Sequence, residues 1–221
     1  MTLKFRHKIL LAASIIVVLA FGLFTLYNDY LQRTTLTKSL EDSVTQSGEL
    51  TATGIQSWLS GRILLLDNLA QNVAFQGTKT DLGGLVSQPS LTSTFQFTYI
   101  GDSDGVFTQR PNVEMPAGYD PRKRPWYTST VAADKTILSA PYLASVGGLV
   151  VTVASPIKVN GKVTGVAGGD LSLDTLVTIV NSVDFGGLGH AFLVSGDGQV
   201  IVSPDKGQVM KNLKEIYPGQ T

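Results

Sequence analysis

The sequence predicts an α+β fold: an amino-terminal transmembrane helix, a long stalk helix, and tandem modules built on antiparallel sheets, the second of them incomplete. Three observations carry this. Residues 9–27 are almost wholly apolar; apolar residues then recur at helical spacing to about residue 75; and beyond Pro89 the period changes to two, in a strand–turn–strand pattern that begins again near residue 185.

The run Ile9 to Tyr27 is broken only by Ser14, Gly22 and Thr25. At about 1.5 Å per residue it matches the thickness of a bilayer core. Lys4, Arg6, His7 and Lys8 precede it, whereas the far side offers Asp29 and no cation before Arg33, so the charge bias puts the amino terminus in the cytoplasm and the chain beyond residue 27 outside it. The run is longer than a signal-peptide core, and Tyr27-Asn28-Asp29-Tyr30 is no small-residue cleavage site, which favours an uncleaved anchor.

From Asp29 to Phe75 there is no proline, and Leu31, Leu36, Leu40, Val44, Leu50, Ile55, Leu59, Ile63, Leu66, Leu69 and Val73 keep a helical period. One long helix, or two nearly continuous ones, is expected, with Gly48, Gly54 and Gly61 as places for a bend. A second helical stretch covers Thr80 to Ser87. Strands are then expected over Phe95 to Ile100, Val106 to Arg110, Ile137 to Leu143, Gly148 to Ile157 and Lys162 to Ala167, giving a five-stranded sheet. Gly101 to Gly105 is the first turn, and Asn160-Gly161 is a strong two-residue hairpin signal. Thr128 to Asp134 suits a short helix. Asp170 is expected to close the last strand and cap a helix over Leu171 to Val183.

Ala191 to Pro204 repeats the logic of Phe97 to Pro111: strand, Gly-Asp turn, strand, proline. A second module is therefore expected to begin near Phe185. One hairpin cannot complete it, so the remaining strands, and a second membrane helix, are expected in a longer polypeptide.

Between the second and third strands lies the most chemically loaded stretch, Tyr119-Asp120-Pro121-Arg122-Lys123-Arg124-Pro125-Trp126-Tyr127. Residues before proline are driven to extended backbone, so Asp120 and Arg124 should be extended and the segment a loop leading into a helical turn. A guanidinium fork receives a carboxylate, and aromatic faces attract an ammonium or stack on a flat ring. The same residues also suit a basic turn whose Trp126 and Tyr127 plug the core.

Seventeen basic and seventeen acidic side chains give no reason to expect nucleic-acid binding. The absence of cysteine excludes disulfides and thiol chemistry and suits a periplasmic location. His7 and His190 are too few and too far apart for a histidine metal site, and Asp102, Asp104 and Asp197 sit in glycine-rich turns without the ligand run of a calcium loop. No nucleophile elbow or phosphate-cradling loop is present, and Glu41 and Asp42, side by side on a helix, point to different faces. No enzyme, metal or cofactor is expected.

The amino-terminal anchor, the long helix, the repeated module, the Tyr119 to Tyr127 run, Pro141-Tyr142 and Gly168-Gly169-Asp170 together resemble the double-Cache sensor region of bacterial methyl-accepting chemotaxis proteins, built of tandem PAS-like modules. The resemblance spans the whole chain. It implies residues 1–8 in the cytoplasm, 9–27 as the transmembrane helix, 28–78 as the long helix, 79–184 as a membrane-distal ligand-binding module and 185–221 as the start of a membrane-proximal one.

In the amino-acid-binding branch of that family the resemblance gives Tyr119, Arg124, Trp126, Tyr127, Tyr142 and Asp170 as ligand-binding residues. Arg124, helped by Trp126 and Tyr127, would receive the ligand carboxylate, and Asp170 with tyrosine hydroxyls its ammonium. A zwitterion needs such a buried cation and anion. The aspartate expected two residues after Tyr142 is instead Ala144. The implied ligand is an amino acid, with a purine or other planar nitrogen compound next and a polyamine third. A homodimer in the bacterial inner membrane is implied, signalling to chemotaxis proteins through a carboxyl-terminal part. The rival output is a histidine kinase or diguanylate cyclase.

Overall fold

In a computed structural model of the chain, residues 5–77, 81–181 and 191–219 are described. Helix α1 runs unbroken from Phe5–Gln76, so Gly48, Gly54 and Gly61 interrupt no hydrogen bonding. The chain divides into two compact units, Met1–Leu50 and Thr51–Thr221.

The described residues of the first unit are helix alone. Ile9, Ile15 to Leu19, Phe21, Leu23, Phe24 and Leu26 are all exposed. Among the described residues one helix is long and apolar enough to cross a membrane, with mean hydropathy 1.6 in its apolar window. Asp29 and Arg33, one helical turn apart, make a solvent-exposed ion pair of 2.9 Å, an arrangement that contributes only a few tenths of a kcal/mol.

In the second unit the rest of α1 is followed by α2 (Leu82–Val86), α3 (Pro89–Thr92), β1 (Phe97–Asp102), β2 (Phe107–Arg110), α4 (Pro125–Ala133), β3 (Ile137–Leu138), β4 (Tyr142–Leu143), β5 (Leu149–Val159), β6 (Lys162–Ser172) and α5 (Leu173–Asn181). The hairpin β7 (Leu193–Val194) and β8 (Val200–Val202) and the short α6 (Leu213–Ile216) complete it. The main sheet is antiparallel throughout, in the order β2-β1-β6-β5-β3, with β4 also on β5.

Alternation along the strands divides the sheet into two faces. Ile100, Val151, Val153, Ala167 and Leu171 pack with Leu66, Leu69 and Ala70 of α1 in the larger core. Tyr99, Ala154 and Val166 face the other way and pack with Trp126 and Tyr127. The candidate site lies on this second face.

Several boundaries differ from the sequence expectation. The strand expected over Ile137 to Leu143 is two short pieces on either side of Pro141, which cannot donate to a ladder. The helix expected from Thr128 starts at Pro125, whose missing N–H and fixed φ suit a first helical position. It ends on Asp134 in the left-handed region (φ 52°). The β5–β6 hairpin turns on Asn160 (φ 52°) and Gly161 (φ 76°), the doubly left-handed geometry that Asn-Gly favours.

The largest difference concerns Asp170. Strand β6 runs on to Ser172, Asp170 pairs with Phe97 on one side and Thr152 on the other, and its carbonyl accepts from the Gln96 N–H at 2.9 Å. Asp170 is thus a central strand residue and not the cap of α5, which begins only at Leu173. Ladder bonds to two neighbours outweigh the single hydrogen bond a cap would supply. Thr80 and Val183, expected helix ends, and Phe185, the expected start of a second module, lie outside the described residues.

Candidate functional site

The Tyr119 to Tyr127 segment folds around Asp120. Its backbone is extended (φ −127°, ψ 112°), and its carboxylate accepts from the Arg122 backbone N–H at 3.0 Å, capping a tight turn over Pro121–Lys123. The same carboxylate takes the Arg122 guanidinium at two points, 2.9 and 3.0 Å, and this hydrogen bonding holds its pKa below the usual carboxylate value. With Arg122 engaged there, the chain reaches Arg124, also extended (φ −84°, ψ 147°), at the entrance to α4. Arg124 Nη2 donates to the Leu143 carbonyl at 2.9 Å, and its guanidinium carbon sits 5.6 Å from the Tyr142 ring centre.

Opposite stands Asp170, 5% exposed. Its Oδ1 accepts from the Tyr99 hydroxyl and from Thr152 Oγ1, each at 2.6 Å. Tyr142 joins the network through a 2.7 Å contact with Thr152 Oγ1. Burial pushes the Asp170 carboxyl up to about 6, against the opposing pull of those hydrogen bonds and of the Arg124 charge. Burial likewise raises Tyr99 and Tyr142, and pushes Tyr119 up to about 12, so the three phenols are neutral near pH 7.

Arg124 and Asp170 line one pocket together with Tyr119, Trp126 and Tyr142. The pocket holds about 290 Å³ of space, mouth included. Its aromatic wall is tightly nested: Tyr99 lies 4.8 Å from Trp126 and 5.4 Å from Phe107, and Phe107 lies 4.9 Å from Tyr119, centre to centre. Two glycines make this possible. A Cβ on Gly168 would fall 2.2 Å from the Tyr99 ring, and one on Gly101 would fall 2.8 Å from Pro121.

Five of the six residues singled out in the sequence therefore share one hollow. Tyr127 is the exception: it is buried, meets the Trp126 ring edge-on at 5.5 Å, and does not line the pocket. Neighbouring helical residues diverge by about 100°, so Trp126 and Tyr127 cannot both face the same space from α4.

Residues 30–221 match the family model for the Cache domain. The chain belongs to the Cache domain family. Over 221 residues it is 63% identical to the methyl-accepting chemotaxis protein McpA of Pseudomonas putida KT2440, covering 99% of this chain and 34% of that one. It is 54% identical to the methyl-accepting chemotaxis protein PctB of Pseudomonas aeruginosa PAO1, covering 100% and 35%. The chain thus spans about a third of the length of these relatives. Among solved structures it resembles the ligand-binding domain of the amino-acid chemoreceptor PctB in complex with L-Gln: TM-score 0.77, 52% identity, 80% of this chain and 74% of that one. The ligand-binding domain of the Pseudomonas fluorescens chemoreceptor CtaA with L-serine gives TM-score 0.78, 45% identity, and 83% and 81% coverage.

Within this Cache domain the sequence reading missed Tyr99 and Thr152, the two hydrogen-bond donors to Asp170, and Phe97, Phe107, Gln109 and Met115 of the pocket wall. A signal existed for Phe97 and Tyr99: they alternate on β1 as Gly168 and Asp170 do on β6, and two glycines beside an aspartate in a strand mark room left for a large ring.

Proposed function

We propose that this chain is the ligand-sensing part of a transmembrane chemoreceptor, and that the pocket between Arg124 and Asp170 binds an α-amino acid outside the cell. The observation that carries this is the pairing, in one hollow, of a single guanidinium with a single buried carboxylate between aromatic walls. An amino acid presents the complementary pair. Its carboxylate would meet Arg124, and its ammonium would meet Asp170, whose two hydrogen-bond donors both go to Oδ1. Tyr119, Trp126 and Tyr142 would enclose the ligand, with Tyr127 acting from behind Trp126. The similar PctB and CtaA domains, in complex with amino acids, support the same ligand class.

The layout proposed is residues 9–27 across the inner membrane with 1–8 cytoplasmic, 28–78 as the stalk, 79–184 as the membrane-distal Cache module and 185–221 as the start of a membrane-proximal one. The exposed apolar side chains of Ile9 and of residues 15–27, the β7–β8 hairpin and the length of the relatives support it. The proposal includes a homodimer passing its signal to chemotaxis proteins, a reading that the chemotaxis relatives support. A ligand held at once by Arg124, at the entrance to α4, and by Asp170, in the sheet, would favour the conformation that brings the two together. Affinity for one conformation over another would then shift their balance and carry the signal into α1.

Ala144 stands in the pocket wall where a second carboxylate would complete the ammonium site. That leaves one charged hydrogen bond fewer, about 1.5–3 kcal/mol. The deciding experiment is calorimetric titration of the full chain in lipid nanodiscs with amino acids, purines and polyamines. Amino acids should bind, and Arg124→Ala should weaken them more than tenfold. Unchanged affinity in that variant would remove the carboxylate role, and binding of adenine or putrescine alone would replace the amino acid by that class.

A further inference from the structure

The loop that supplies Tyr119 and Arg124 to the pocket is held by a clamp whose two members, Asp120 and Arg122, do not line the pocket themselves. The Asp120 carboxylate accepts from Arg122 at three points: the backbone N–H at 3.0 Å, Nε at 2.9 Å and Nη2 at 3.0 Å. The remaining guanidinium nitrogen, Nη1, leaves the loop and donates to the Ser103 carbonyl at 3.3 Å. Ser103 lies in the turn between β1 and β2, and its own N–H donates at 2.9 Å to the Thr164 carbonyl of β6, the strand that carries Asp170. We propose that Arg122 is a positioning residue for ligand binding: by joining Asp120 to Ser103 it fixes the loop, and with it Arg124, at the separation from Asp170 that a ligand must span. This rests on the amino-acid reading of the pocket and adds to it a residue outside the pocket wall.

A partly exposed Asp–Arg pair two residues apart ordinarily does no more than cap a turn, and contributes little. Three features give this pair more. The turn it holds is packed onto the sheet, with Pro121 buried and 2.8 Å from where a Cβ on Gly101 of β1 would stand. The anchor is itself tied down: the Asp102 carboxylate accepts from the N–H groups of Asp104 at 2.9 Å and Val106 at 2.8 Å, closing the β1–β2 turn. The turn also leaves a bare place for the guanidinium, which lies 3.2 Å from the position a Cβ would take on Gly105, a residue in the left-handed region at φ 91°. A planar fork can hold Asp120 and Ser103 at once, whereas an ammonium cannot make the same set of bonds. Arg124 has its own bond to the Leu143 carbonyl, which aims its guanidinium; Arg122 sets the backbone from which that side chain starts. A misplacement of about 1 Å is enough to spoil a charged contact of this kind.

The test is a double-mutant cycle on the full chain in lipid nanodiscs, read by the rise in melting temperature with added ligand, which extends to millimolar affinities. The tightest binder among the standard L-amino acids serves as the probe. Arg122→Ala should weaken binding about tenfold with Arg124 in place, but by less than about twofold in the Arg124→Ala background, where no guanidinium is left to position. Arg122→Lys should fall between the parent and Arg122→Ala, and Lys123→Ala, which removes a neighbouring exposed cation, should stay within about twofold of the parent. If Arg122→Ala does not fold, Asp120→Asn takes its place in the same cycle, since it keeps an oxygen for the turn and removes the charge that holds the guanidinium. An Arg122→Ala chain within about twofold of the parent overturns the proposal, and so does an equal loss in both backgrounds, for Arg122 would then act independently of Arg124. Full affinity in Arg122→Lys overturns the clamp, because charge alone would suffice. A parent chain whose melting temperature no amino acid raises fails the amino-acid reading instead, an outcome seen before any substitution is made.

Discussion

Lowering the pH from 7 to 5 should weaken amino-acid binding about tenfold. In the empty pocket Asp170 titrates at about 6, because burial opposes its charged form more than Tyr99, Thr152 and Arg124 support it. At pH 7 roughly nine chains in ten carry the carboxylate, and at pH 5 roughly one in ten does. A ligand ammonium binds the charged form and lowers its pKa further, so the free energy lost over this interval is about 1.4 kcal/mol, the work of removing the proton first. Neither main-chain group of a free amino acid titrates there, and Tyr99, Tyr119 and Tyr142, the other ionisable groups beside the carboxylate, are raised far above it. Titrating the full chain in nanodiscs at half-unit steps should give an affinity flat above pH 7 and falling with a slope approaching one below 6. Tyr99→Phe removes one donor to the carboxylate and should move the midpoint upward. An affinity constant from pH 7 to pH 5 would refute the reasoning, for it would mean that no proton competes with the ligand at Asp170.

Four further outcomes rest on the same geometry. The folded-state pKa of Asp170 lies above the 3.8 of an exposed carboxyl, so its contribution to stability is most favourable below pH 3.8 and is lost as pH rises towards about 6. Asp170→Asn should therefore raise the melting temperature of the ligand-free domain at pH 7, by a few degrees for a cost of up to about 3 kcal/mol removed, and the gain should vanish near pH 4. Gly168→Ala drives a methyl into the Tyr99 ring and should destabilise by about 1–3 kcal/mol in urea titration, whereas Gly196→Ala, with nothing within 4 Å of its Cβ, should stay within about 0.5 kcal/mol of the parent. Tyr127→Phe should leave amino-acid affinity within about threefold, since its ring lies behind Trp126, while Trp126→Ala should cost about 3–5 kcal/mol of stability and abolish binding. Arg124→Lys should weaken binding more than tenfold, because an ammonium cannot hold the Leu143 carbonyl and a carboxylate with one planar fork.

The features legible in the sequence were local. The change of period after Pro89 marked β1 and β2, Asn160-Gly161 marked the β5–β6 turn, and the proline-flanked cluster of Arg124 and Trp126 marked the charged loop. Asp170 was read as a binding residue but also as a helix cap, because within its own neighbourhood an aspartate after two glycines and before an apolar helical run looks like a strand end. Pairing with Phe97 and Thr152, 73 and 18 residues away, is what holds it in the sheet. The same distance hid its partners: Tyr99 is 71 residues from the carboxylate it bonds, and only the β1–β6 register brings them together.

Tyr127 stands outside the hollow for a reason of helix geometry: two aromatic residues in a row can form two walls of one space in a loop but not in a helix, and Pro125 commits this stretch to a helix by supplying its first position. Once α4 starts at Pro125, a single one of the two rings can face the sheet's open hollow, and the other must pack elsewhere. The glycines at 101 and 168 point the same way. Each is required by a ring or proline arriving from another strand or loop, so the shape of the pocket is written partly in residues that do not line it. Ligand chemistry is legible from the charged and aromatic side chains alone, whereas the space in which it acts is set only by the register of β1 against β6.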